Sequence, residues 1–94
     1  MKKSVHTSDY RALRAELRRI RDDAGLSQRA LAQRLRVTHS WVAKVESGER
    51  RLDLIEFCWF VSACGIDPQT VFDGLLRKSR TLRTASPRNE GRPE

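Results

Sequence analysis

Three polar residues, His39, Ser40 and Lys44, lie early in a short predicted helix and carry groups that can donate or accept hydrogen bonds. The helix is the second of two within Leu26–Gly48, and a tight turn joins them. Two short helices joined in this way, with polar residues facing outward, have the geometry that places a helix in the major groove of DNA. The other segments must then supply the core that positions this pair.

The sequence carries no pattern that indicates catalysis or metal binding. It lacks a plausible carboxylate pair, a nucleophile beside a base and a glycine-rich phosphate loop, so we expect no enzyme activity. Cys58 and Cys64 are six positions apart, on different faces of a helix, and there is no Cys-x-x-Cys pair or histidine cluster. We expect no metal, no cofactor and no disulfide, with both cysteines in the core.

The charge of the chain points to a polyanionic partner. Lys and Arg number 19 against 12 Asp and Glu, for a net charge of +7. That surplus suits nucleic acid or an anionic membrane surface, although an ordinary arginine-rich surface would carry it too. The charge is unevenly placed, because residues 27–51 have a net charge of +4 and residues 52–76 a net charge of −4. This separation favours one face built for phosphate.

Nothing in the sequence predicts insertion into a membrane. The longest apolar run, within residues 52–66, is too short for a spanning helix, and the N-terminal residues have no apolar signal core. We therefore expect a cytoplasmic protein.

Repeated start and stop signals predict five helices. In the first, apolar residues fall on one helical face from Tyr10 to Ala24, with Ser8 or Asp9 as the cap and Gly25 at the end. Four more starts show a hydrophobic staple, in which an apolar residue precedes the cap and another lies four positions into the helix. These signals predict helices that begin near residues 28, 39, 54 and 68. Residues 54–64 are apolar nearly all round, and the caps favour a buried helix over the alternative of a strand.

The predicted architecture is a single all-α domain. Residues 9–78 hold the five helices, and residues 1–8 form a flexible N-terminal arm. Residues 79–94 are basic, contain Pro and Gly and are nearly free of apolar side chains, so we expect a disordered basic tail.

Residues 10–76 resemble the Cro/repressor-type helix-turn-helix family, also called the Xre family. The matching residues are Leu26-Ser27-Gln28, Leu31-Ala32, Leu35, Val37-Thr38, Val42, Val45-Glu46 and Gly48, with Ile20-Arg21 and Ala24-Gly25 upstream and Gly65-Ile66-Asp67-Pro68 downstream. The resemblance implies a five-helix Cro/repressor-like helix-turn-helix domain that binds double-stranded DNA. The chain departs from the pattern at Arg36, where the family usually has Gly. A positive φ there costs about 1 kcal/mol, and the arginine either reaches DNA or lies in solvent.

The resemblance also implies which residues meet DNA. The base-contacting positions are His39, Ser40, Ala43 and Lys44. Lys44 can donate to guanine, and the Ala43 methyl can contact thymine. The positions implied to contact the backbone are Gln28, Arg36, Thr38, Trp41, Ser47, Arg50 and Arg51. The alternative is that these are ordinary exposed helix residues, and Trp41 could instead pack against the second helix.

Arg21 and Glu46 match family positions that form a partly buried ion pair between the first and third helices. Such a pair has a structural role, because removing one partner leaves a buried charge without compensation. The alternative is that Arg21 contacts phosphate directly.

The large apolar residues of helices four and five exceed what a small domain easily hides. The candidates for a homodimer interface on the acidic side are Trp59, Phe60, Phe72, Leu75 and Leu76. The alternative is a core within one chain. Symmetric dimers commonly read symmetric operators.

Two functions follow as hypotheses. The first is a transcriptional regulator, specifically a repressor, that reads a palindromic operator in the major groove with its third helix. The second is an antitoxin or other protein-interaction module that binds DNA for autoregulation. In that case the acidic helices or the C-terminal tail would contact the partner protein.

Overall fold

The computed structural model describes residues 8–84, and all regular secondary structure in this range is helical. The helices are α1 (Ser8–Asp23), α2 (Gln28–Leu35), α3 (His39–Ser47), α4 (Leu54–Ala63), α5 (Pro68–Lys78) and α6 (Arg80–Arg83). The expected all-α class is confirmed. Five helices were expected and the described residues form six, because α6 was not predicted.

The starts of α2 to α5 agree with the staple signals, because the side chain before each helix accepts a hydrogen bond from an N–H group of its first turn. The cap of α4 is reciprocal: Asp53 accepts from the Glu56 N–H, and the Glu56 carboxylate accepts from the Asp53 N–H. At α1 the expectation was wrong in detail. Ser8 and Asp9 are the first residues of the helix rather than its cap, and the rest of the predicted arm, residues 1–7, lies outside the described residues.

The predicted disordered tail is wrong for residues 79–83, which form the connection to α6 and the helix itself. Asp9 on α1 accepts hydrogen bonds from the hydroxyls of Ser79 and Thr81. Arg83 donates to the carbonyl oxygens of Leu76, at 2.6 Å, and of Arg77, at 3.0 Å, at the end of α5. These contacts hold a polar segment in place without an apolar face. Residues 85–94 lie outside the described residues.

The core is built from α1 to α5. Its fully buried residues are Leu17, Ile20, Leu31, Val42, Val45, Phe60 and Val61. Phe60 on α4 has no exposed surface, and Leu75 on α5 is 7% exposed. Both were therefore wrong as dimer-interface candidates, because their side chains already fill the core of a single chain. Full burial of such a side chain contributes about 1.5–3 kcal/mol.

The cysteines lie where the sequence indicated. Cys64 is buried, Cys58 is half-buried, and both are free thiols. Burial raises the pKa of the Cys64 thiol. Across residues 8–84, no three metal-binding side chains cluster. Within the same range, every helix is too short or too polar to cross a membrane.

Candidate nucleic-acid interface

The turn between α2 and α3 depends on a left-handed arginine. Arg36 has φ 59° and ψ 44°. Its N–H donates to the Gln33 carbonyl at 3.2 Å, and the Val37 N–H donates to the Ala32 carbonyl at 3.0 Å. A non-glycine residue in this conformation costs roughly 1–2 kcal/mol. The predicted positive φ is therefore present, and the Arg36 side chain is exposed.

The two helices of the motif pack on each other through small and branched residues. Ala32 on α2 is 3% exposed, and Val42 and Val45 on α3 are 0% and 2% exposed. Leu31 is also fully buried and joins α2 to the common core. The small side chain of Ala32 lets the two helix backbones approach closely. Packing on this inner face leaves the opposite face of α3 in solvent.

A buried ion pair connects α3 to α1. Arg21 donates to both carboxylate oxygens of Glu46, from Nε at 2.6 Å and from NH2 at 2.9 Å. The two side chains are 7% and 5% exposed. Arg21 also donates to the Leu26 carbonyl at 2.8 Å. Its guanidinium is thus held inside the domain in the ion pair that the resemblance implied, rather than presented to phosphate.

The ion pair extends to the start of α3 through a glutamine. Gln28 donates from Nε2 to Glu46 Oε1 at 3.0 Å, and its Oε1 lies 3.1 Å from His39 Nε2. Four side chains from three helices therefore form one hydrogen-bonded chain, which we call the α3 relay: Arg21, Glu46, Gln28 and His39. The relay fixes the His39 ring against α2.

The predicted base-contacting residues share the outer face of α3. Positions 39, 40, 43 and 44 are one, three, four or five apart, which groups them on one side of a helix. His39, Ser40 and Lys44 are exposed, and Ala43 is half-buried. Neither the Ser40 hydroxyl nor the Lys44 ammonium has a hydrogen-bond partner in the described part of the chain. These groups are available to an external acceptor.

Several predicted backbone-contacting residues have structural contacts as well. The Thr38 hydroxyl accepts from the Trp41 N–H at 3.0 Å as the cap of α3. The Ser47 hydroxyl donates to the Lys44 carbonyl at 3.2 Å. Arg51 lies over the Tyr10 ring, 5.2 Å from its centroid. Their contacts with DNA stay predictions.

Arg50 and Trp41 form a cluster with the α4 cap. Arg50 donates to both oxygens of Glu56, at 3.0 and 2.9 Å, and stacks 5.0 Å from the centroid of the Trp41 ring. Its hydrogen bonds lower the pKa of Glu56. Trp41 is half-buried and packs against the core. Packing is therefore observed for Trp41, and its exposed part still borders the outer face of α3.

Sequence patterns missed two arginines that brace the motif. Arg34 at the end of α2 donates to the Ala63 carbonyl at 2.9 Å, near the end of α4. Arg14 on α1 lies against Gly48, so a Cβ there would come within 2.9 Å of the guanidinium carbon. Both contacts join distant segments, and no local pattern signals them.

Comparisons with known proteins agree with this architecture. Residues 12–71 match the family described as "Helix-turn-helix domain". Among solved structures, the chain is similar to the "XRE-family like protein from Pseudomonas syringae pv. tomato str. DC3000", with 40% sequence identity and a TM-score of 0.76. The match covers 80% of this chain and 92% of that one. None of the curated proteins matches the chain.

Proposed function

The chain belongs to the Xre-type helix-turn-helix family of DNA-binding regulators, and from that premise we propose that it is a cytoplasmic transcriptional repressor. In this proposal a homodimer reads a palindromic operator, and each copy inserts α3 into the major groove. The chain acts by binding DNA and carries out no catalysis.

The observation that carries the proposal is the outer face of α3. Ser40 and Lys44 are exposed there without partners among residues 8–84, and α3 is anchored from behind by the Arg21–Glu46 ion pair. A rigid helix that presents donors with no internal partner suits direct reading of base edges. Residues 27–51, with their net charge of +4, supply attraction to the phosphates around it.

The dimer is supported by apolar surface on α4 and α5. Ile55 and Trp59, one turn apart on α4, are 57% and 58% exposed, and Phe72 on α5 is 46% exposed. Large apolar side chains at this exposure on neighbouring helices are typical of an interaction surface. A second copy of the chain is the partner that fits, because a two-fold symmetric operator presents two equivalent half-sites.

The oligomeric state is tested by light scattering during size exclusion. We expect a dimer mass for the wild type and a monomer mass for Trp59→Lys, since a buried lysine in a symmetric contact costs both copies. Gln33→Lys, at an exposed position of α2 and outside the apolar surface of α4 and α5, is a control for the added charge. A wild-type monomer that is also monomeric on DNA would contradict the dimer. A stable complex with a different host protein through this face would favour the antitoxin alternative.

Sequence-specific binding is tested by selecting bound duplexes from a random pool. We expect an enriched site with two inverted half-sites, separated by about one helical turn of DNA or a multiple of it. Affinity for that site should fall steeply with salt, because each neutralised phosphate releases counterions. Failure to enrich any site at low salt would overturn the proposal.

The direction of regulation needs a separate measurement. A small protein that covers a promoter blocks polymerase, so a reporter promoter that contains the selected site should fall in output when the chain is expressed. Increased reporter output would contradict the repressor assignment but would not contradict the proposal that the chain binds DNA.

A further inference from the structure

We propose that the α3 relay fixes the tautomer of His39, so that this side chain reads DNA as a hydrogen-bond acceptor at Nδ1. The inference deepens the proposed function and rests on it for its DNA part. It assigns His39 a defined specificity, for a base that presents an amino group.

The direction of each hydrogen bond in the relay starts at Glu46. Its carboxylate, held by two bonds from Arg21, can only accept. The Gln28 atom that faces it at 3.0 Å must therefore be the amide nitrogen. This contact orients the Gln28 amide and turns its carbonyl oxygen toward His39.

The Gln28 carbonyl then determines where the histidine proton lies. A carbonyl oxygen can only accept, so the His39 Nε2 atom, 3.1 Å from it, must carry the proton. In a neutral imidazole one nitrogen donates and the other accepts, which leaves the lone pair on Nδ1. Nδ1 has no hydrogen-bond partner in the described part of the chain, and the residue is exposed.

The free lone pair selects among bases. In the major groove, the amino groups of adenine N6 and cytosine N4 are donors, whereas guanine presents only acceptors. An acceptor at Nδ1 therefore favours adenine or cytosine at the position it faces. Lys44, which can only donate, has the opposite preference. Two residues of one helix face would thus read complementary features of the site.

The tautomer is tested first without DNA, by long-range nitrogen–proton NMR spectra of the imidazole above the usual pH range of histidine titration. His6→Gln in every sample leaves His39 as the sole histidine. We expect the proton on Nε2, with slowed exchange with water. Gln28→Met should abolish that slow exchange, because it removes the acceptor and keeps the Arg21–Glu46 pair. Gln33→Met, the same change at an exposed position of α2, should leave the spectrum unchanged.

Two spectra would overturn the proposal: a wild-type proton on Nδ1, or a Gln28→Met protein whose Nε2 proton exchanges as slowly as the wild type. The spectrum decides the tautomer even if the chain selects no DNA site, which would instead refute the proposed function.

The base preference of His39 is tested on the DNA site selected from the random pool. The base pair to vary is the one at which the His39→Ala variant no longer distinguishes between bases. We expect wild-type affinity to be about 3- to 10-fold higher with adenine or cytosine facing His39 than with guanine, the value of one hydrogen bond. Gln28→Met should remove that ratio, and Gln33→Met should retain it. If Gln28 also contacts a phosphate, loss of that contact in Gln28→Met would lower the affinity equally for all bases and would leave the ratio unchanged. An unchanged ratio in Gln28→Met would overturn the proposal.

Discussion

Replacing Glu46 with glutamine should be among the most destabilising single changes in the domain. The substitution keeps the size of the side chain and removes its charge, while Arg21 stays 7% exposed between α1 and α3. Its hydrogen bonds to Glu46 raise the pKa of Arg21, so the guanidinium stays charged as long as the pair exists. In Glu46→Gln that charge loses its buried counterion and keeps only the exposed carboxylate of Asp22, 3.2 Å from Arg21 NH1.

The size of the effect follows from the burial of the pair. Removing one partner of a buried ion pair costs about 3–5 kcal/mol. A domain of this size has a free energy of unfolding of about 5–14 kcal/mol, so the loss is a large fraction of the total. At about 4–8 °C per kcal/mol, Tm should fall by about 12–40 °C. The double variant Arg21→Met, Glu46→Leu removes both charges and should lie within about 2 kcal/mol of the wild type.

Urea unfolding, followed by circular dichroism, measures these values. Glu49→Gln is the matched control, because Glu49 is exposed and its loss should change stability by less than about 0.5 kcal/mol. The reasoning would be refuted if Glu46→Gln cost no more than Glu49→Gln. It would equally fail if the double variant were as unstable as the two single losses added together.

Three further changes test other parts of the fold. Arg36→Gly should stabilise the domain by about 0.5–1 kcal/mol, because relief of left-handed strain exceeds the added entropy of the unfolded chain; a lower Tm would contradict this. Phe60→Ala should cost about 3–5 kcal/mol, whereas Trp59→Ala should cost far less in the monomer, and urea unfolding compares them. The Ser79 and Thr81 hydroxyls lower the pKa of Asp9 from its ordinary 3.8, so the stability from this contact is complete above that pH and is lost as the pH falls below it. Hydrogen exchange in α6 should therefore accelerate in Asp9→Ala at neutral pH, and unchanged protection would show that Asp9 does not hold α6.

The helix starts could be predicted from the sequence because their causes are local. The hydroxyls of Ser27 and Thr38 each accept a hydrogen bond from the backbone N–H three residues later in the chain. Apolar residues stand before and after each cap. Such signals span only a few residues, so periodicity and capping rules detect them. The left-handed turn at Arg36 was expected from the resemblance, because the family usually has Gly at that position.

The errors arose where contacts join distant residues. The connection to α6 depends on Asp9, 70 positions before Ser79, and a basic segment with few apolar residues gives no local hint of order. On α4, apolar residues surround the helix, so the sequence could not tell the buried Phe60 from the exposed Trp59. The hydrogen bonds that join Gln28 to Glu46 and to His39 have no signal in the sequence either. The resemblance had named all four relay members, but it gave Arg21 and Glu46 as an ion pair and Gln28 and His39 as separate DNA contacts.

The measurement that tests the central claim most directly compares variants on the selected duplex at fixed salt. Lys44→Ala should weaken binding by about 5- to 150-fold and relax the preference at one base pair. Ser40→Ala should weaken binding by a smaller factor. Lys78→Ala, which removes the same charge from an exposed position on α5, should have little effect. If Ser40→Ala and Lys44→Ala bind as tightly and selectively as the wild type, α3 does not read the bases.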